Sequence, residues 1–298
     1  MRQTSMQDSY ETTAYTTVDE GELARIAAFV RECESIDGIS ACFQPEVVVD
    51  TESGKPSFVA CHHLGVLVGV LSVFSMVSDE VELSVCVHPA HRRKGIATRL
   101  VDEAMVRLAA VGTKRFLLVS DANSPAGMAF VESQKGQPHH AEYSLRYDTD
   151  HRWTAIPQQL QIRRAGPDDI DALVNIVSLA FGDVREDVEG FIRASMEWPA
   201  REVFVGLVEG VCVATASVGH DDATTASINM VAVDPRVQGK GYATELIQAL
   251  VLPLVENHIQ VLIDVDSTNA RAYRLYRHLG FIETRVVEYR SLAWSTTR

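Results

Sequence analysis

Two copies of one α/β domain, each a mixed, mostly antiparallel sheet flanked by helices (an α+β arrangement), are what this 298-residue sequence predicts. Three observations carry that reading. An extended apolar run, Ile228 to Val233, leads into a glycine-bearing turn and then into Leu246, Ile247, Leu250, Val251 and Leu254 at helical spacing. The same strand, turn and helix stand 146 positions earlier, with Val87, Pro89, Lys94, Gly95, Ala97, Thr98 and Leu100 matching Val233, Pro235, Lys240, Gly241, Ala243, Thr244 and Leu246. Ahead of each turn, strand-like runs follow one another without helices between them, which favours antiparallel neighbours over a doubly wound sheet.

The elements follow in order. Residues up to about Thr13 are polar and frayed, or part of a first edge strand. A helix opens near Val18 with Thr17 or Asp19 as its cap, buries Leu23, Ile26, Ala27 and Val30, and stops at Asp37-Gly38. Phe58–His62 and Val66–Phe74 form a hairpin turning near His63-Leu64-Gly65. From Val81 to His88 the chain alternates, with Val81, Leu83, Val85 and Val87 on one face and Glu82, Ser84, Cys86 and His88 on the other. The turn and a helix to about Ala110 follow, then a strand Phe116–Ser120, a helix from Ser124-Pro125, and a strand Ala141–Tyr147 that closes the copy. This sets domains at 1–147 and 162–298, with 148–161 as a linker that carries Pro157 and has no periodicity. The second copy starts with a strand at Ile162 and a helix at Pro167-Asp168-Asp169, whose acids suit a helix N-terminus. A helix at about 186–196, strands 203–208 and 211–218, the central strand and helix, a strand 261–265, a helix from Asn269 and a final strand 281–289 complete it.

The repeat extends downstream at the same offset, Asn123 on Asn269 and Ala126 on Ala272. At its centre stand Arg92-Arg93-Lys94-Gly95-Ile96-Ala97-Thr98 and Gln238-Gly239-Lys240-Gly241-Tyr242-Ala243-Thr244. Glycines let backbone approach an anion, and the free N–H groups of a first helical turn point at it. The second copy adds Asn269-Ala270-Arg271-Ala272-Tyr273-Arg274-Leu275-Tyr276, ending at Gly280-Phe281. Together these resemble the two signature motifs of the GNAT superfamily, the acyl-CoA-dependent N-acyltransferases, over nearly the whole chain. The tandem arrangement also resembles that of the mycothiol synthases, though no residue fixes that substrate.

The resemblance implies a tandem N-acetyltransferase that moves an acetyl group from acetyl-CoA directly to a primary amine of a small molecule or peptide. It implies a pyrophosphate held by 92–98 and 238–244, and a strand bulge whose amides hold the pantetheine arm at Val231, Ala232 and Val233, and at Val85, Cys86 and Val87 in the first copy. It also implies Tyr276 as general acid, with Asn269 either bonding the cofactor or capping its helix. Phe130 stands at the matching position of the first copy and cannot donate a proton; Gly136 falls two residues later than Gly280 does. Glu82 is a candidate base of the first copy, acting directly or through water, with Ile228 at its 146-offset position. In the second copy His220, Asp221 and Asp222 are candidates only. The alternative is that one copy is a non-catalytic acyl-CoA-binding, regulatory or substrate-cleft module.

Bulk properties narrow the partners. The net charge of −13 disfavours nucleic acid and anionic membranes and suits a cationic amine. The five scattered cysteines lack paired spacing, the N-terminus has no apolar signal core, and the longest apolar run, Leu64 to Met76, is too short to span a bilayer. The expectation is a cytoplasmic enzyme without a metal, since His62-His63 and His139-His140 find no further ligands at suitable spacing. Oligomeric state is not readable. A nucleotide-binding domain is disfavoured because no Walker motif is present.

Overall fold

The structure is a computed structural model that describes residues 10–43, 55–75, 79–154 and 156–294. The polar residues before Tyr10 and the end of the apolar run at Met76 lie outside the described residues. The chain divides into two compact units, Met1–Ala141 with Arg285–Arg298, and Glu142–Thr284.

The first unit contains β1 (Tyr10–Tyr15), α1 (Glu20–Asp37), β2 (Phe58–His63), β3 (Val66–Phe74), β4 (Glu80–Val87), α2 (Ile96–Ala110), β5 (Arg115–Asp121) and α3 (Pro125–Ser133). Asp19 caps α1 by accepting from the Glu22 N–H at 2.8 Å, and Gly38 in the left-handed region ends it. Strands β1 to β4 pair antiparallel in sequence order, and β4 pairs parallel with β5. The alternation of β4 is realised: Val81, Leu83 and Val87 enter the core under α2, while Cys86 joins Ile26, Val30 and Cys33 under α1.

The second unit contains β7 (Gln161–Arg164), α4 (Ile170–Phe181), α5 (Arg185–Glu197), β8 (Arg201–Val208), β9 (Val211–His220), β10 (Thr225–Val233), α6 (Tyr242–Glu256), β11 (Gln260–Asp266) and α7 (Ala270–His278). Strands β7 to β10 are antiparallel neighbours and β10 runs parallel to β11. Core residues of α6 and of Tyr276 pack on one face of β10 and β11, and α4 and α5 pack on β8 and on the end of β10 at Met230 and Ala232. The stretch 148–160 has no helix or strand among its described residues, yet it is tied down. Trp153 donates to the Leu279 carbonyl at 2.8 Å, and the Gln159 and Leu160 N–H groups both reach Glu245 Oε1 at 2.8 Å.

The compact units differ from the halves of the repeat at their last strands. β6 (Gln137–Tyr147) gives residues 142–146 to pair with β11 in the second unit, and β12 (Phe281–Leu292) gives residues 287–292 to pair with β5 in the first. Two copies of one sheet offer equivalent edges to equivalent strands, so exchange within a chain costs little.

The repeat is also not gapless. Left-handed Leu64 and Gly65 correspond to left-handed Glu209 and Gly210, an offset of 145. Left-handed Arg93 and Gly95 correspond to Gly239 and Gly241, an offset of 146. The extra residue is a bulge in β10, where pairing with β9 slips between Asn229 and Ala232 and Met230 takes φ 53°; β4 pairs with β3 regularly to Val87. After α6 one residue is lost again, since Ser124 caps α3 as Asn269 caps α7. The structural partner of Glu82 is therefore Ser227, not Ile228, whose side chain lies in the opposite core. The partner of Tyr276 is Val131, not Phe130, and that of Gly280 is left-handed Lys135, not a delayed Gly136.

Gly280 itself has φ 87°, and a Cβ there would stand 2.3 Å from the His151 ring. Gly280→Ala is expected to lower stability by about 2 kcal/mol or more, from left-handed strain plus the clash. A urea unfolding midpoint that did not move would remove this contact from the account.

Candidate functional site

In the second unit, the parallel pairing of β10 with β11 ends at Ile228 opposite Ile263. Beyond it the backbone of Asn229 to Val233 leaves β11, and at the bulge Met230 and Val231 have no partner in β9. The bulge thus lies one step before the expected Val231–Val233, because left-handed Met230 absorbs the extra residue. In the first unit β4 parts from β5 after Ser84 opposite Val119, which frees the same edge of Val85, Cys86 and Val87 without a bulge.

A short 3₁₀ turn, Pro235–Val237, follows β10, and Asp234 caps it by accepting from the Arg236 N–H at 2.9 Å. The Arg236 guanidinium is held on the same carboxylate, which keeps the Asp234 carboxyl below the usual range. Gln238 then anchors the loop by donating to the Val233 carbonyl at 3.1 Å, and Arg271 donates to Gln238 Oε1 at 2.7 Å. Gly239 and Gly241 follow with φ 83° and 88°, and a Cβ on either would meet nothing within 4 Å. Lys240 between them is exposed.

Helix α6 starts immediately behind, and no side chain caps it. The first turn, Tyr242, Ala243 and Thr244, therefore presents its N–H groups towards that open space. The Tyr242 side chain points the other way, into the core with Leu246 and Tyr276. The first unit repeats this arrangement around Arg92, Arg93, Lys94, Gly95 and the start of α2 at Ile96, Ala97 and Thr98. Gly95 has open space beside it, and α2 has no side-chain cap. Its loop is anchored by Arg92, which donates from Nε to the Val87 carbonyl at 3.0 Å and clasps Asp37 of α1. Arg93 holds a left-handed backbone without being glycine. Lys94 sits 5.8 Å over the Tyr10 ring.

Tyr276 is buried in the core of the second unit, its ring 6.2 Å from that of Phe281. Burial raises its phenol above the ordinary value. Its hydroxyl has no hydrogen-bond partner among the described residues and is not one of the buried polar atoms left unsatisfied, so the ring is buried while the oxygen reaches a surface. Asn269 caps α7 by accepting from the Ala272 N–H at 3.0 Å. Tyr273 packs against the same core as Tyr276, and its hydroxyl donates to Glu283 at 3.1 Å.

Glu82 lies on the α1 face of β4, opposite Phe74 and Leu117. On the corresponding face of β10 Ser227 donates to Asp221 Oδ1 at 2.9 Å, and Asn229 Nδ2 donates to Ser227 Oγ at 3.2 Å. Desolvation first, then Asp222 and Asp264, raise the Asp221 carboxyl, against the Ser227 bond and Arg201. Of the three candidates, Asp221 is the one whose carboxylate accepts from Ser227; His220 is not in the loop but ends β9 opposite Ala226 of β10, and the Asp222 carboxylate accepts from Thr224. Among the described residues no three His, Cys, Asp or Glu side chains gather as metal ligands, and no helix is long and apolar enough to cross a membrane.

The family model described as Acetyltransferase (GNAT) family matches residues 23–136 and again 170–281. A mycothiol acetyltransferase of Acidothermus cellulolyticus is 27% identical over 219 residues, 65% of this chain and 65% of that protein, so just under two thirds of the relative's length is spanned. Among solved structures, a GCN5-related N-acetyltransferase from Sphaerobacter thermophilus superimposes with a TM-score of 0.72 at 19% identity, covering 95% of both chains. A tandem GNAT protein from the clavulanic acid biosynthesis pathway does so with a TM-score of 0.75 at 15% identity, covering 96% of this chain and all of that one.

Proposed function

Because the chain belongs to the acetyltransferase (GNAT) family and is an acyltransferase with two tandem GNAT domains, we propose that it moves an acetyl group from acetyl-CoA to a primary amine of a small molecule or peptide by direct transfer. The observation that carries this reading is the uncapped start of α6 behind two left-handed glycines that face open space. A cradle of that kind fits a pyrophosphate, since any Cβ would fill it and the helix dipole favours negative charge there. When bound, acetyl-CoA supplies the activated acyl group as a thioester.

The residues divide the remaining work. The 238–244 loop fixes the phosphates, with Lys240 adding charge. The edge of β10 that has left β11 offers Met230 to Val233 backbone groups to the pantetheine arm and to the acyl oxygen. Tyr276 holds a proton that burial keeps in place, ready for the departing sulfur. Asp221, in the turn before β10, is bonded to Ser227 on the face that Glu82 occupies in the first copy, and is placed there to order an incoming amine. Glu82 remains our candidate base of the first copy. Asn269 acts through its cap, holding α7 and hence Tyr276.

We take 1–147 and 162–298 as the duplicated domains, with 148–161 between them. The first copy keeps the cradle and lacks both the bulge and a proton donor at Val131. That favours catalysis mainly in the second copy, and we further propose that the enzyme is cytoplasmic. Titration of the protein with acetyl-CoA is expected to give two equivalents, and a screen of amines, read by thiol release, to give turnover that a second-copy Tyr276 variant loses. Absence of acetyl-CoA binding would overturn the assignment; a single equivalent would restrict it to the second copy.

A further inference from the structure

The acceptor's chemistry is written on the α5 face of the second unit. Arg201, at the start of β8, pairs with Gly219 of β9, and Gly219 pairs with Ser227 of β10. Residues directly opposite in antiparallel strands share a face. At the centre of this row is a residue without a side chain. A Cβ placed on Gly219 would have as its three nearest atoms Ser227 Oγ at 3.4 Å, Asn229 Nδ2 at 3.7 Å and Arg201 Nε at 3.9 Å. Three polar groups from two neighbouring strands thus converge over a bare glycine floor.

The cation in this group lacks a counter-ion. Among the described residues no carboxylate lies within ion-pair distance of Arg201; its side-chain hydrogen bond is a long one of 3.4 Å to Ser195 Oγ. Its guanidinium is packed against Phe191 at 5.9 Å and Trp198 at 5.2 Å. Burial lowers its pKa from the ordinary value, with Asp221 acting in the opposite sense. A half-buried guanidinium without a carboxylate is costly, and one whose plane is fixed by aromatic rings is suited to bidentate recognition of an anion. On the other side of the floor stand carboxylates. Asp221 is tied to Ser227, and Asp264 projects from β11 one residue beyond Ile263, where β10 and β11 part. An acidic pair where β10 and β11 part and a cation two strands away make a bipolar row of groups.

We infer that Arg201, Gly219, Ser227, Asn229 and Asp221 form the acceptor pocket, and that it takes a compact primary amine that also carries a carboxylate, an amino-acid-like zwitterion. This rests on the acyl-transfer reading above and narrows it. The carboxylate lies on Arg201, and Ser227 and Asn229 bond the groups between. The ammonium faces Asp221 and Asp264 at the parting of the strands, where loss of its proton makes it a nucleophile.

The test is calorimetric titration of the full-length protein with a panel of free α-amino acids. For the tightest binder, its amide and its decarboxylated amine are titrated as well, and acetyl-CoA is titrated separately. The expected result is at least a tenfold preference for the free carboxylate over both analogues. Arg201→Met abolishes that preference while leaving affinity for the decarboxylated amine unchanged, and Arg201→Lys retains part of it. Gly219→Ala, whose backbone needs no unusual angle, fills the floor and weakens all three ligands, which keeps the test decisive if Arg201→Met does not fold. Equal affinities in the wild-type protein, a preference that survives Arg201→Met, or a panel in which nothing binds would each overturn the inference. Failure of the wild-type protein to bind acetyl-CoA would instead count against the acyl-transfer reading, which the amino-acid titrations do not test.

Discussion

Gly241→Val is expected to weaken coenzyme A binding to the second copy by about 100-fold, ~2.7 kcal/mol, while the protein stays folded. The fold should survive because a Cβ at Gly241 meets nothing within 4 Å. What remains is backbone strain at φ 88°, about 1–2 kcal/mol for a residue with a side chain, against a usual stability of about 5–15 kcal/mol. Binding should suffer far more. The space beside Gly241 lies in front of the α6 N–H groups, so isopropyl atoms there would occupy the phosphate's place and break its contacts. Gly95→Val is the matched experiment in the first copy, where φ is 77° and the neighbouring space is equally open. With coenzyme A in the calorimeter, each variant should remove one of two equivalents. Undiminished binding in Gly241→Val would show that the loop is an ordinary connection.

Much of this architecture could be read from residues alone, because its signals are local. The alternation from Val81 to His88 placed β4 and its two faces, and Asp19 and Gly38 bounded α1 by capping chemistry. The two glycine turns were visible as a repeat. What escaped was whatever depends on register between distant strands. An offset of 146 taken from the turns hides a bulge in β10 and a compensating deletion after α6, so it set Tyr276 against Phe130, when Val131 occupies that place in the core. The exchange of β6 and β12 between units leaves no trace in a strand's own pattern, since either edge satisfies it. The convergence of Arg201, Ser227 and Asn229 over Gly219 needs three strands in register, and Gly219 reads in sequence as nothing more than a small residue near a turn. Asp221 was visible as a candidate, but only the bond to Ser227 separates it from His220 and Asp222.

Tyr276→Phe should lower kcat by about 100-fold, the low end of what a positioned general acid contributes, with the acetyl-CoA dissociation constant unchanged. The substitution removes one oxygen and keeps the ring against Phe281 and the surrounding core. Because the hydroxyl is without a partner among the described residues and is not a buried unsatisfied atom, its loss should leave stability nearly unchanged, so a fall in rate could not be assigned to unfolding. The raised phenol pKa provides a second readout. A tyrosine whose folded value exceeds its unfolded value of about 10 binds its proton more tightly when folded, so its contribution is full below pH ~10 and is lost as pH rises through the folded value. The stability difference between wild type and Tyr276→Phe should therefore be flat at neutral pH and move against the wild type in strong alkali. A role in packing alone predicts the same alkaline trend with kcat intact. A lowered kcat with intact stability at pH 7 and unaltered cofactor affinity is what only a proton donor produces; an unchanged kcat would remove Tyr276 from the chemistry and leave it a core residue.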